Sequence, residues 1–233
     1  RQHNVPKDLK VRILRYLNNK LGARRDSVQE SRLDVLLLLS DSLRSELQYV
    51  VKFGDLLTHP LIGYMEAVSA VVMHGLVHSV LYLKHPAAVD ILFQRASVAT
   101  SMQYVVGGEM EYSRPGEMDV ILKKDDWMCE MSLWVSWACR GNCQALVDST
   151  VVVVDSKAFG EVLQEDGSLL LTACAYAENF ANWLSDMDAT ELTDVLCAGR
   201  SSKMIEGFLN SAKKTAREAE EEEEGQESEP YSP

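Results

Sequence analysis

The chain has 233 residues, 46% of them hydrophobic and 25% charged, which excludes a wholly disordered or collagen-like chain and suits one large domain or two small ones. Its formal net charge of −12 argues against a nucleic-acid partner. The cysteines, Cys129, Cys139, Cys143, Cys174 and Cys197, are odd in number and irregular in spacing, which disfavours a secreted disulfide framework and favours a reducing compartment.

The first 32 residues are basic: Arg1, Lys7, Lys10, Arg12, Arg15, Lys20, Arg24, Arg25 and Arg32 face only Asp8, Asp26 and Glu30. The end is acidic: eight glutamates from Glu218 to Glu229 leave the other residues at −4 of the −12. No apolar run reaches the roughly 18 residues that span a bilayer, and no secretory signal is visible. The first residue is Arg1 rather than Met, so a longer parent protein is expected.

In chain order, Val5, Leu9, Ile13, Leu17 and Leu21 give an amphipathic helix over 5–21 that ends at Gly22. Ser27 and Glu30 form a capping box for a second helix bearing Leu33 and Leu36 to Leu38. The cluster Ser40-Asp41-Ser42 opens a third helix running to about Phe53, Pro60 closes this segment, and a fourth helix covers Ile62 to about His74.

From Leu76 to Phe159 the helical period disappears. Short strand-like runs take over: Val80–Leu83, Asp90–Phe93, Met102–Val106, Met110–Ser113, Val120–Leu122, Ala145–Val147 and Thr150–Val154. Turn signals such as Gly107-Gly108 and Pro115-Gly116 separate them, a spacing that predicts a sandwich or barrel. Helical period returns at Ser156, in a short helix with Phe159 and Val162 and a longer one from Leu169 to Met187. Residues 190–217 read as a helix with a weak apolar face, and the glutamate run beyond Arg217 as disordered.

Three stretches near the start carry a family resemblance: Val-Pro-Lys-Asp-Leu-Lys-Val-Arg-Ile at 5–13, Leu-Ser-Asp-Ser-Leu-Arg-Ser-Glu-Leu at 39–47 and His-Pro-Leu at 59–61. They resemble the C-linker that follows the pore in cyclic-nucleotide-gated and related voltage-gated potassium channels. The stretches 102–112, 125–133, 154–159 and 176–180 resemble the cyclic-nucleotide-binding domain of the same channels. The resemblance covers about residues 5–212. It implies an α+β fold: an N-terminal helical linker, then an eight-stranded antiparallel β-roll (jelly-roll) closed by C-terminal helices. The implied divisions are a C-linker-like segment at 1–61, the β-roll with flanking helices at 62–190, a C-terminal helix at 191–217 and an acidic disordered tail at 218–233.

In that family a short helix after a Phe-Gly-Glu motif aims backbone N–H groups at the cyclic phosphate. Its glutamate takes the ribose hydroxyl, and a later arginine neutralises the phosphate. The resemblance therefore marks Cys129, Glu130, Met131 and Ser132, with Cys143, Gln144 and Ala145, as a candidate cassette for cAMP or cGMP. Two departures stand out. Cys129 replaces the glycine, and Cys143 replaces the arginine. Loss of a charge-assisted arginine–phosphate pair costs about 2–5 kcal/mol. Arg140 substitutes only if its loop shifts, and Trp134 and Trp137 bring two large rings to the cassette. The pocket thus reads as degenerate, with the ether-à-go-go-like channels, which keep this fold without a nucleotide, as the nearer analogy.

The implied function is a cytoplasmic regulatory region of a tetrameric, potassium-selective channel, with neighbouring subunits of a homo- or hetero-tetramer as partners and a membrane reached through an upstream pore region. The alternative is a soluble cyclic-nucleotide sensor. No catalytic motif is present, so no enzyme activity is expected. No metal site is expected either. His74 and His78 lack a third ligand, and Cys139 with Cys143 lacks a second pair, which leaves two free loop thiols.

Overall fold

This computed structural model describes Gly54, residues 56–196 and residues 198–227. The three helices expected before residue 54, and the linker motifs at 5–13 and 39–47, lie outside them. Pro60 opens helix α1 (Pro60–Val68) instead of closing the preceding segment. A proline in the first turn forfeits no intrahelical bond, because that N–H has no partner there anyway. The single helix expected over 62–74 is two helices. Ser69 adopts an extended backbone, and its hydroxyl accepts from the Val72 N–H to cap α2 (Ala70–Gly75). The chain bends there by 118°. A π-helical turn, Leu76–Val80, then leads into the first strand.

The strands are β1 (Leu81–Lys84), β2 (Ile91–Phe93), β3 (Val98–Ala99), β4 (Ser101–Gly107), β5 (Met110–Ser113), β6 (Val120–Leu122), β7 (Trp127–Met128), β8 (Trp137–Ala138), β9 (Asn142–Ala145) and β10 (Thr150–Asp155). Helices α3 (Ser156–Leu163) and α4 (Gly167–Asp186) follow, then β11 (Val195–Leu196) and α5 (Ala198–Glu227). The fold is α+β with antiparallel sheets. One sheet has the order β1-β10-β4-β7-β11, a second β2-β9-β5-β6, and β3 pairs with β8.

The valine run Val151–Val154 shows why the molecule is layered. A strand turns successive side chains to opposite faces. Val152 and Val154 enter the core beneath the helices, and Val151 and Val153 enter the core between the two sheets. All four are buried, so the run is apolar throughout instead of alternating. The helical core gathers Leu56, Leu61, Met65, Val72 and Leu76 against Phe159, Tyr176, Phe180, Ile205 and Leu209. Residues on both sides of position 61 therefore share one core.

Three further positions depart from the expected elements. The strand placed at Ala145–Val147 is β9, three residues earlier. The helix expected from residue 190 starts at Ala198, after a turn and the two-residue β11. That helix also runs to Glu227, ten residues beyond Arg217. Among the described residues no single helix is long and apolar enough to cross a membrane.

Candidate functional site

The residues matched to the cassette lie at the junction of the two cores. Cys129 follows β7 with φ 59° and ψ 30°, the left-handed region that a side chain disfavours. A short 3-10 turn, Glu130–Leu133, comes next. Ser132 Oγ donates to the Cys129 carbonyl at 2.8 Å and closes it. Cys129 turns into the core between the sheets, and Met131 into the helical core.

Glu130 is wholly buried, accepts two hydrogen bonds and lies close to a third polar group. Trp127 Nε1 donates to Oε2 at 2.9 Å, and Tyr176 Oη donates to Oε1 at 2.7 Å. His59 Nε2 lies 3.3 Å from Oε2. That contact is off the alignment of a hydrogen bond, since neither ring nitrogen of His59 has a hydrogen-bond partner. Burial works to raise the Glu130 pKa. The His59 charge and the bonds from Tyr176 and Trp127 outweigh it and hold the carboxyl below its ordinary value. Glu130 is thus neither a surface carboxylate nor free to meet a ribose. It joins the entry to α1, the end of β7 and the middle of α4.

Cys143, Gln144 and Ala145 lie on β9. Cys143 and Ala145 are buried between the sheets. Cys143 Sγ sits 3.6 Å from Met128 Sδ, and burial pushes its thiol pKa up to about 12. Gln144 pairs in register with Ile91 and Glu111. The structure brings Cys129 and Cys143 into one core but turns Glu130 and Met131 away from it.

The place beside them is taken by Asp194, a residue that no sequence motif marked. Its carboxylate is fully buried. Oδ1 accepts from Trp137 Nε1 at 2.6 Å. Oδ2 accepts from Tyr112 Oη at 2.9 Å and from the backbone N–H groups of Arg140 at 2.7 Å and Gly141 at 2.8 Å. Two backbone amides and an indole N–H around one anion are the donors that a phosphate would use. The Arg140 guanidinium instead stacks 4.9 Å from the Trp137 ring centre. Burial, as the main cause, pushes the Tyr112 hydroxyl up to about 12, so it remains a donor.

The segment carrying Asp194 is fixed along its length. Cys129 N donates to the Asp194 carbonyl at 2.7 Å, and β11 pairs with β7 through Val195–Met128 and Leu196–Trp127. Val195 fills the core between the sheets. Arg114 Nη1 donates to the carbonyls of Thr190 at 2.9 Å and Leu192 at 2.6 Å. His74 and His78 lie with ring centres 4.2 Å apart and planes tilted by 44°, and they share an open cavity with Glu165.

No protein-family model matches the chain, and no curated protein does. A solved structure of the C-linker/CNBHD of zELK channels is similar at a TM-score of 0.44 and 23% sequence identity, covering 69% of this chain and 80% of that one.

Proposed function

We propose that the chain is a cytoplasmic regulatory module of a tetrameric cation channel, potassium-selective by its sequence resemblance, in which the nucleotide cassette is occupied by the chain's own Asp194–Leu196 segment. The observation that carries this reading is the Asp194 carboxylate, held by the Arg140 and Gly141 amides and the Trp137 indole beside Cys129. The anion is internal, so the module senses the seating of its own C-terminal helix and needs no cAMP or cGMP. It is not an enzyme. Its partners are neighbouring subunits, and it lies on the inner face of the membrane below a pore.

Glu130 gives this module a coupling route. A displacement of α4 acts on Tyr176, then on Glu130, and through His59 on the start of α1 and whatever precedes it. Burial of all three groups makes the link stiff.

Calorimetric titration with cAMP and cGMP separates this reading from the soluble sensor. The expected result is no binding heat up to millimolar nucleotide. Micromolar binding by the unaltered chain would favour the sensor. The channel role is tested by joining the chain to a pore of this class and recording currents. Asp194→Ala should shift the voltage of half-activation, and an unchanged voltage would sink the coupling role.

A further inference from the structure

We propose that Cys129, Cys139 and Asp194 form a binding site for a thiophilic divalent cation, zinc by its ligand chemistry. The inference requires the seating of Asp194 described above but not the channel role. The two sulfurs and a carboxylate oxygen all lie within 4.8 Å of one another, and all three residues are buried. Tetrahedral zinc holds sulfur at about 2.3 Å and oxygen at about 2.0–2.2 Å, so its ligand atoms lie roughly 3.5–4 Å apart. Small side-chain rotations close the remaining gap.

Cys139 therefore belongs with Cys129 and not with Cys143, whose sulfur faces Met128. The backbone at Cys129, bent into the left-handed region, sets its Sγ beside Asp194. Asp194 has capacity left for a metal. Three donors saturate Oδ2, whereas among the described residues Trp137 alone donates to Oδ1, which keeps a lone pair for a metal. The Trp137 N–H then plays the orienting role that metal-bound carboxylates usually receive.

A second observation points to the same place. Cys129 and Cys139 line an open cavity of about 470 Å³ together with Gln103. Gln103 is 6% exposed, and its Oε1 has no hydrogen-bond partner. A buried carbonyl oxygen left without a donor is costly. A water on the fourth metal position would supply that donor, and the cavity gives the cation its way in.

The test uses the reduced 233-residue chain, stripped with a chelator and titrated with cobalt(II) and then zinc(II). One equivalent of cobalt should bind with a thiolate-to-cobalt charge-transfer band, and zinc should displace it. Cys139→Ser should abolish the band and weaken zinc at least about 100-fold, whereas Cys143→Ser and Cys174→Ser should change neither. Trp137→Phe should keep the band and weaken zinc by about 10–100-fold. X-ray absorption on the unaltered zinc-bound chain should give two sulfur neighbours at about 2.3 Å, a readout that does not depend on any variant folding. Absence of stoichiometric cobalt with a thiolate band overturns the proposal. So does full zinc affinity in Cys139→Ser, which would place the metal elsewhere, as at His74 and His78. A zinc neighbour shell without sulfur overturns it equally.

Discussion

Glu130 is the buried acceptor for Trp127 and Tyr176 and lies beside His59, so its removal leaves buried polar groups unsatisfied. Each buried donor left without its acceptor costs about 1–3 kcal/mol. Glu130→Ala should therefore lower the unfolding free energy by that amount in urea titration, with no ligand present. A loss below about 1 kcal/mol would instead mark a carboxylate held ready for a ligand. The pH dependence has a definite sign. The Glu130 pKa is depressed in the folded state, so its stabilisation is complete above the unfolded glutamate value of about 4.3. It is lost as pH falls through the lower folded value. Acid unfolding of the wild type should carry this component below about pH 4.3, and Glu130→Gln should lack it. The sequence resemblance took in the positions of His59, Glu130 and Tyr176 but did not join them. His59 and Tyr176 are 71 and 46 residues away in sequence, and no local period encodes such contacts. Asp194 was silent for the same reason, as its carboxylate partners lie 53 to 82 residues away.

Among the elements, those with a periodic signal were legible. The helix expected from Leu169 to Met187 is α4, Gly167–Asp186, and Met110–Ser113 and Val120–Leu122 match strands residue for residue. The two-residue strands β3, β7, β8 and β11 were not, because two residues cannot display an alternation. The break at Ser69 was hidden by continuous apolarity on both sides. Helix α4 is capped by Asp166, whose side chain accepts from the Leu169 N–H at 3.0 Å. Asp166→Ala should cost about 1 kcal/mol, read as a lower urea midpoint at unchanged slope, and Asp166→Asn should recover most of it. The turn between β4 and β5 has a sharper requirement. Gly108 has φ +87°, and a Cβ there would clash with Ser149 Oγ and lie 2.6 Å from the Ser149 Cα. Gly108→Ala should lower stability by more than the roughly 1–2 kcal/mol of the left-handed backbone alone. An unchanged midpoint would show that this turn is free to rearrange.

Over the described residues the α+β class, with helices before and after a run of strands, was readable, because composition, turn signals and period all agree on it. The share of α5 that packs was harder to place, since its apolar residues are sparse. Ile205, Leu209 and Ala212 are buried in the helical core, Ala216 is buried one turn further on, and Lys213 Nζ lies 4.3 Å from the Tyr64 ring centre. Arg217, Glu218, Ala219 and Glu221 are not buried. Deleting 218–233 should therefore leave the melting temperature nearly unchanged, as a glutamate run has nothing to bury. Ending the chain at residue 204 should lower it by several degrees, because Leu209 and Ala212 leave the core. A large drop on the shorter deletion would show that the acidic end packs on the body.

The Asp194–Leu196 segment is joined to α4 by only seven residues, 187–193. A tether of that length holds an attached group at an effective concentration on the order of millimolar, whatever the concentration of the protein. A diffusing occupant of the same cavity must outcompete that fixed concentration. If the untethered segment would bind with a Kd of about 1 μM, a free competitor's apparent Kd rises about a thousandfold. Dilution cannot relieve this. On the proposed reading only a pull on α5 or α4 that withdraws the segment relieves it, and the two helices then govern access to that place from outside it.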